Sequence, residues 1–302
     1  MENSSQSGGK LCYNKGVLRN LPGFWSGGKP EKKGNHKAMS HITQAKRIVV
    51  KVGTSTLTYE NGRLNLRRFE QLCKVLCGLQ NAGRELVLVT SGAMGVGRGK
   101  LGIGEHPEQV PQRQAIAAVG QCELMFMYDK FFGEYNHTVA QVLLTRDIMD
   151  SPISKKNTEN TFRALLDMGI LPVVNENDSV ATDELAGKKF GDNDTLSAMV
   201  ATLVQADLLV ILTDIDGLYD KNPRTAPDAK RIPCVRGVTG EIRALAGGAG
   251  SARGTGGMAT KVGAAAIANA AGIPCVVMSG ADPDSLYALF DGAVLGTTFL
   301  PA

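Results

Sequence analysis

Short apolar segments alternate with longer segments of helical periodicity along most of the chain, and this alternation limits the folds that are available. Six segments are predicted as strands: Arg47–Val52, Glu85–Thr90, Thr138–Leu144, Ile170–Val174, Asp207–Thr213 and Pro274–Ser279. They are apolar along their length rather than at every second position, which is typical of a sheet covered on both faces. The intervening segments predict five helices: Leu64–Ala82, Ala115–Phe132, Thr158–Met168, Asp192–Val204 and Lys261–Ala271. Because parallel strands need crossover connections, the pattern predicts an α/β fold, a three-layer α/β/α sandwich with a central, mostly parallel sheet.

We expect one folded domain over residues 46–302, preceded by an extension, residues 1–45, that we predict to be disordered. The first 40 residues are rich in Gly, Ser, Asn and Lys and show no hydrophobic periodicity. They lack the apolar segment of a secretory signal, and their basic residues leave a transit peptide open as an alternative.

Charge and cysteine content exclude several classes of function. The 33 basic and 29 acidic residues leave a formal net charge of +4, which is too weak a bias to indicate nucleic-acid binding. No apolar run reaches the roughly 18 residues that a membrane span needs, so we expect no membrane association. The six cysteines include no Cys-x-x-Cys pair. We therefore predict buried thiols at Cys73 and Cys77 rather than a metal site, and a reducing, cytoplasmic location.

Small and polar residues follow four of the predicted strands. The first strand carries Lys51 near its end, and the segments after the four strands are Gly53-Thr54-Ser55, Ser91-Gly92-Ala93, Asn175-Glu176-Asn177-Asp178 and Thr213-Asp214. In open α/β sheets, ligands bind outside the carboxyl ends of the strands. The sequence therefore predicts a ligand site at this edge of the sheet.

Two glycine-rich segments have different interpretations. Gly97–Gly102 has the spacing of a dinucleotide fingerprint, but it begins several residues beyond the strand end, so we interpret it as a mobile loop over the substrate. Gly254–Lys261 precedes a predicted helix, where backbone N–H groups and the Lys261 ammonium could bind a phosphate. A flexible linker is the alternative for this second segment. No Gly-Lys-Ser/Thr occurs in the chain, which disfavours a Walker-type nucleotide fold.

The polar segment Gly191-Asp192-Asn193-Asp194 opens a predicted helix. Helix capping accounts for one of its three polar residues, and the others indicate a metal site or an organiser of lysines. Phosphoryl transfer needs positioning and positive charge more than covalent chemistry, and Lys51 and Lys261 could supply that charge. A carboxylate acceptor needs no general base, which agrees with the absence of histidine from these motifs.

Taken together, these motifs resemble the amino acid kinase family, and within it the members that phosphorylate free glutamate. The resemblance extends from about Lys46 to Thr298 and includes six motifs: Val50–Ser55, Val89–Ala93, Asn175–Asp178, Gly191–Asp194, Thr213–Tyr219 and Gly254–Lys261. It implies use of ATP and Mg²⁺ to convert the γ-carboxylate of L-glutamate into γ-glutamyl 5-phosphate, which is the first step of proline biosynthesis.

The resemblance also implies roles for individual residues. Lys51 and Lys261 would stabilise the transferring phosphoryl group, and Asp194 would hold the two lysines in place. Glutamate would bind to Ser91, Asp178 and Asn193. ATP would contact Lys51 together with residues of two segments: Thr213, Asp214, Thr255, Gly256, Gly257, Met258, Ala259, Thr260 and Lys261. No protein ligand for a metal is assigned.

Family members are often dimers or tetramers and are often inhibited by proline, so we expect a homo-oligomer and treat proline as a candidate feedback inhibitor. Many bacterial members continue into a PUA domain and the plant and animal members into a reductase, and we expect neither in a chain that ends at Ala302. Acetylglutamate, aspartate, carbamate and uridylate kinases share the fold and are the nearest alternatives. An amino acid sensor without catalysis is a further alternative, which the presence of both lysines disfavours.

Overall fold

The computed structural model describes residues 41–59, 61, 63–104, 107–181, 193–247 and 257–302. Residues 1–40 of the expected extension lie outside this description. The extension was expected to reach residue 45, but the structure corrects this boundary, because Ile42 and Ala45 are buried in the core. The Arg84 guanidinium donates hydrogen bonds to the carbonyls of Thr43 and Ala45, and it also lies 4.1 Å from the centre of the Phe290 ring. The folded part therefore includes the residues just before Lys46.

A single sheet of eight strands forms the centre of the described molecule. In chain order the strands are β1 (Arg47–Val52), β2 (Glu85–Val89), β3 (Val139–Leu144), β4 (Leu171–Glu176), β5 (Leu208–Thr213), β6 (Cys234–Arg236), β7 (Cys275–Ser279) and β8 (Thr297–Leu300). Their spatial order is β3-β4-β2-β1-β5-β7-β8-β6. Strand β8 is antiparallel to β7 and parallel to β6, while all other neighbours are parallel to each other. The expectation of a mostly parallel sheet is confirmed.

Helices cover both faces of the sheet. In chain order they are α1 (Thr54–Leu57), α2 (Leu66–Asn81), α3 (Ala93–Leu101), α4 (Val110–Gly133), α5 (Pro152–Asp167), α6 (Asn193–Leu203), α7 (Gly240–Ala246), α8 (Met258–Ala270) and α9 (Ser285–Phe290). A 3₁₀ turn at Arg146–Met149 precedes α5. Within the described residues, no helix is both long and apolar enough to span a membrane.

Two apolar cores, one on each face of the sheet, follow from the alternation of side chains along β1. Ile48, Val50 and Val52 contribute to a core that also contains residues of α2, α4 and α9. Val49 points to the other face, where residues of α5, α6 and α8 complete a second core. Successive side chains of a strand point to opposite faces, so this arrangement gives three layers. The predicted α/β/α sandwich is confirmed.

The contact between α3 and α4 depends on two glycines. A Cβ atom built on Gly97 of α3 would lie 2.0 Å from the Ile116 carbonyl oxygen, and one built on Gly120 of α4 would lie 1.8 Å from the Ala93 carbonyl oxygen. Only residues without a side chain allow the two backbones to come this close. The interpretation of Gly97–Gly102 as a mobile loop is therefore wrong, because Gly97–Leu101 belongs to α3, Gly97 serves helix packing, and Gly102 ends the helix in a left-handed conformation.

Strand β1 lies at the topological switch point of the sheet, where the strand order reverses. After β1 the chain first builds the side that contains β2, β4 and β3, and β5 then extends the sheet on the opposite side of β1. Ligands of open α/β sheets bind in the crevice at such a point, outside the carboxyl ends of the strands. The end of β1, which carries Lys51, borders this crevice.

Candidate active site

Lys51 is placed by its position in β1. Its Cα pairs with Val89 of β2 on one side and with Ile211 of β5 on the other, so the residue lies in the middle of the sheet. It is two residues beyond Val49, and its side chain therefore points to the face that carries α6 and α8. Only 7% of Lys51 is exposed. A buried ammonium needs a compensating partner.

Asp194, in the first turn of α6, is that partner. The Lys51 Nζ atom lies 2.8 Å from Asp194 Oδ1, and the Lys261 Nζ atom lies 3.1 Å from Asp194 Oδ2. Lys261 belongs to the first turn of α8, and it too is buried. The structure thus brings together two lysines that are 210 positions apart in sequence, on one carboxylate. Of the two interpretations left open for Asp194, metal ligand and organiser of lysines, the geometry supports the second.

The hydroxyl of Thr260 gives the same carboxylate a third contact. Its Oγ1 atom donates a hydrogen bond of 2.7 Å to Asp194 Oδ2. Burial alone would raise the pKa of Asp194, but the ammonium groups of Lys51 and Lys261 outweigh it and hold that pKa well below its usual range. Asp194 is therefore ionised at neutral pH, and the two lysines with this carboxylate carry a net charge of +1.

A chain of hydrogen-bonded side chains joins three elements beside the lysines. The Asn193 amide nitrogen donates to Ser91 Oγ at 2.9 Å and to Asn175 Oδ1 at 3.1 Å. The Asn175 amide nitrogen in turn donates to Gln121 Oε1 at 2.8 Å. Ser91 follows β2, Asn175 lies in β4, Asn193 begins α6 and Gln121 lies on α4. The structure therefore brings together two of the three residues expected to bind glutamate.

Asp178, the third of those residues, lies in the turn that follows β4. Its side chain is half-buried, and burial raises the pKa of its carboxyl group to about 6. A carboxylate whose charge is destabilised by burial gains when a cationic group binds next to it. This turn extends from the strand that carries Asn175, at the predicted edge of the sheet.

The described residues expected to bind nucleotide, apart from Lys51, lie in two segments. Thr213 ends β5 and donates a 3.1 Å hydrogen bond to the Asp214 carboxylate. Gly257 is the N-cap of α8 and gives it no side-chain cap, so Met258 and Ala259 present the first backbone N–H groups of a 13-residue helix. Thr255 and Gly256 lie outside the described residues. Lys51 and Lys261 have the positions given above.

Sequence reasoning did not assign roles to three contacts within this site. Asn175 was predicted only as part of a polar segment after a strand, and Gln121 was assigned no role, although the two residues link α4 to Asn193. Thr260 was expected to bind nucleotide, and its hydroxyl also contacts Asp194. Its position next to Lys261 was the only signal of this contact in the sequence.

Within the described residues, no group of three or more His, Cys, Asp or Glu side chains could hold a metal ion. The Asp194 carboxylate is already engaged by two ammonium groups and a hydroxyl. A Mg²⁺ ion therefore finds no ready set of protein ligands in this part of the chain. Mg²⁺ at nucleotide sites is commonly held by substrate phosphates, water and only one or two carboxylates.

Comparison with known proteins finds similar sequences along most of the chain. A model described as the amino acid kinase family matches residues 46–279. A protein of Clostridium perfringens named glutamate 5-kinase is 55% identical over 260 residues, which cover 86% of this chain and 97% of the relative. A protein of the same name from Listeria monocytogenes is 52% identical over 259 residues, which cover 85% of this chain and 94% of the relative.

Solved structures show the same fold at low sequence identity. Carbamate kinase from Giardia lamblia bound to AMP-PNP superimposes with a TM-score of 0.60 at 16% identity, covering 85% of this chain and 99% of that one. UMP kinase from Bacillus anthracis gives a TM-score of 0.59 at 16% identity, covering 85% and 96%. At this identity the likeness concerns the fold alone.

Proposed function

The chain belongs to the amino acid kinase family, and from this premise we propose that it transfers the γ-phosphoryl group of ATP to the side-chain carboxylate of L-glutamate. A γ-carboxylate oxygen attacks the γ-phosphorus, the bond between that phosphorus and the β,γ-bridging oxygen breaks, and γ-glutamyl 5-phosphate and ADP are formed. This reaction is the first step of proline biosynthesis. The observation that carries the proposal is the shared contact of Lys51 and Lys261 with Asp194.

The paired lysines suit the charge that develops during phosphoryl transfer. Negative charge spreads over the transferring group and over the oxygens that attack and leave, and fixed positive groups in a dry site stabilise it. Lys51 at the end of β1 would act from the acceptor side, and Lys261 would act from the nucleotide side. Asp194 keeps both ammonium groups in position before the substrates bind. No step requires a proton to be removed from the acceptor, because a γ-carboxylate is already ionised at neutral pH.

The nucleotide phosphates would lie at the N-terminus of α8. The uncapped N–H groups of Met258 and Ala259 point out of the helix end, where the helix dipole favours an anion. We assign Thr255–Lys261, together with Thr213 and Asp214, to the nucleotide site. The chemistry of backbone donors followed by a lysine supports this assignment.

Glutamate would be held by the polar residues beside β2 and β4. Because Asn193 donates to Ser91 Oγ, the Ser91 hydroxyl hydrogen is left to donate to a substrate carboxylate. Asn193 Oδ1 is buried and accepts no hydrogen bond from the described residues, so it offers an acceptor to the α-ammonium group. Asp178 would pair with the same ammonium. An N-acetylated substrate would not bring this charge, so the site favours a free amino acid.

Three further proposals accompany the activity. Mg²⁺ would accompany the phosphates of ATP and would neutralise part of their charge. The family resemblance supports a dimer or tetramer of the chain, with proline as a feedback inhibitor. It also supports a cytoplasmic location for this biosynthetic step.

A panel of acceptors tests the proposed function directly. ADP release would be measured in a coupled assay with glutamate, aspartate, N-acetylglutamate, carbamate and UMP, each with and without proline. We expect turnover with glutamate and at most a few per cent of that rate with the others. Turnover with N-acetylglutamate but not with glutamate would overturn the choice of substrate. A protein that binds glutamate but forms no ADP with any acceptor would instead be a sensor.

A further inference from the structure

A row of three side-chain amides extends from the residues that are proposed to bind glutamate to a buried residue of α4. Asn193 donates to the oxygen of Asn175, and Asn175 donates to the oxygen of Gln121. Reversing one amide would place two donors or two acceptors against each other, so the three orientations depend on one another. The amide of Gln121 is the inner end of this row.

The side-chain amide of Gln121 has a hydrogen-bond donor that is unpaired among the described residues. The residue is 8% exposed, and its Nε2 atom has no hydrogen-bond partner among the described residues. A buried amide donor without a partner is unfavourable, and an apolar side chain of similar length would avoid the problem. What an apolar side chain could not provide is the oxygen that accepts from Asn175.

Helix α4, which carries Gln121, packs against the segment Thr90–Ala93 that contains Ser91. The neighbouring Gly120 packs against the backbone of Ala93, which begins α3 directly after that turn. Seven residues further along the same face of α4, the buried Tyr128 hydroxyl lies 2.7 Å from Thr90 Oγ1. The helix therefore contacts both sides of the segment that carries Ser91, which makes it a rigid support for the amide row.

We propose that Gln121 is a positioning residue for the amino acid substrate, acting through Asn175 on Asn193 and Ser91. This inference rests on the proposed function. By accepting from Asn175, Gln121 fixes the rotation of that amide, which then accepts from Asn193. The Asn193 nitrogen is thereby directed to Ser91 and Asn175, which leaves the Asn193 oxygen without a hydrogen bond from the described residues. Among the described residues, the Gln121 side chain hydrogen-bonds to Asn175 and not to the lysines, Thr213 or Asp214, so we expect its effect to be confined to binding of the amino acid.

The substitution Gln121→Met tests the proposal, because it removes the acceptor and keeps the length of the side chain. We expect the glutamate KM and the glutamate Kd from calorimetry to rise about tenfold, with kcat and the ATP KM within twofold of the original protein. The matched control is Gln112→Met, an exposed position on the same helix, which should leave all four constants unchanged. A glutamate KM that stays within twofold in Gln121→Met would refute the proposal.

A double-mutant cycle separates positioning from a general loss of packing. If Gln121 acts through Asn193, Gln121→Met should raise the glutamate KM less than twofold further in an Asn193→Ala background. Two effects that multiply would show that Gln121 acts independently, and equal losses in kcat and both KM values would show a structural defect instead. Failure of the proposed function would be seen separately, as absence of glutamate turnover in the unsubstituted protein.

Discussion

Replacing Asp194 with asparagine should separate the chemical step from substrate binding. The change preserves the shape of the side chain and removes the carboxylate charge with which Lys51 and Lys261 both pair, at 2.8 and 3.1 Å. The amide of the new side chain has one oxygen and one NH₂ group, so at least one ammonium group would face a donor. The two ammonium groups would then repel each other at a buried site, and they would move away from the positions that phosphoryl transfer requires.

Two magnitudes follow from this geometry. Removing one partner of a buried ion pair typically costs about 3–5 kcal/mol of stability. This range applies to Asp194, because only 1% of the residue is exposed. Domains of this kind are stable by about 5–15 kcal/mol, so we expect the variant to fold with reduced stability. Loss of one well-placed electrostatic group costs about 10²–10³ in kcat. We therefore expect kcat to fall at least about 100-fold, with the glutamate KM changed less than about threefold, since Ser91, Asn193 and Asp178 remain.

The measurements are steady-state kinetics of ADP release and urea unfolding, both at pH 7.5. Asp207→Asn is the matched control, because the Asp207 carboxylate accepts from the backbone N–H groups of Lys46 and Arg47 at the opposite end of β1. It should cost about 1–2 kcal/mol of stability and leave kcat unchanged. If Asp194→Asn lost stability but kept kcat within threefold, the carboxylate would serve only the fold, and the assigned mechanism would be refuted.

The main part of the sheet could be predicted because its signal is local. Strands β1, β2, β4 and β5 are mostly apolar, and each was predicted to within two residues at either end. Strands β6 and β8 were missed because they have three and four residues, and β8 begins with two buried threonines. Such segments become strands through pairing with distant neighbours, and the local sequence carries little trace of that pairing.

Helix α3 was missed for a related reason. Its sequence contains glycine at positions 95, 97 and 99, and glycine has low helix propensity, so the segment was interpreted as a loop. In the folded chain, Gly97 allows the backbone of α3 to pack directly on α4. A tertiary contact thus outweighs the local preference, and no feature of the segment alone indicates which partner it meets.

The candidate site divides in the same way between local and long-range information. Lys51 and Asp194 could be proposed from the sequence because a strand end and a helix start dictate where they lie. Whether Asp194 binds a metal or organises lysines depends on which side chains meet it, and only the folded chain brings Lys261 to that carboxylate. The role of Gln121 was equally inaccessible, because it depends on the rotation of α4 relative to β4.

Two further predictions concern substrate affinity and the support of the site. Burial raises the pKa of Asp178 to about 6, and the ionised form binds the α-ammonium group, so the glutamate KM should rise roughly tenfold from pH 7 to pH 5. The ATP KM should not follow this trend, and Asp178→Asn should have a higher glutamate KM that no longer varies over this range; a KM independent of pH in the original protein would contradict the pairing. Gly120→Ala should cost about 1–3 kcal/mol in urea unfolding and raise the glutamate KM, because a Cβ atom 1.8 Å from the Ala93 carbonyl forces α4 away from the Ser91 turn. Gly133→Ala, at the other end of the same helix, has no atom within 4 Å of the added carbon, so it should cause no loss of stability and leave the glutamate KM unchanged. An equal loss of stability in both variants would show that close packing at Gly120 is not the cause.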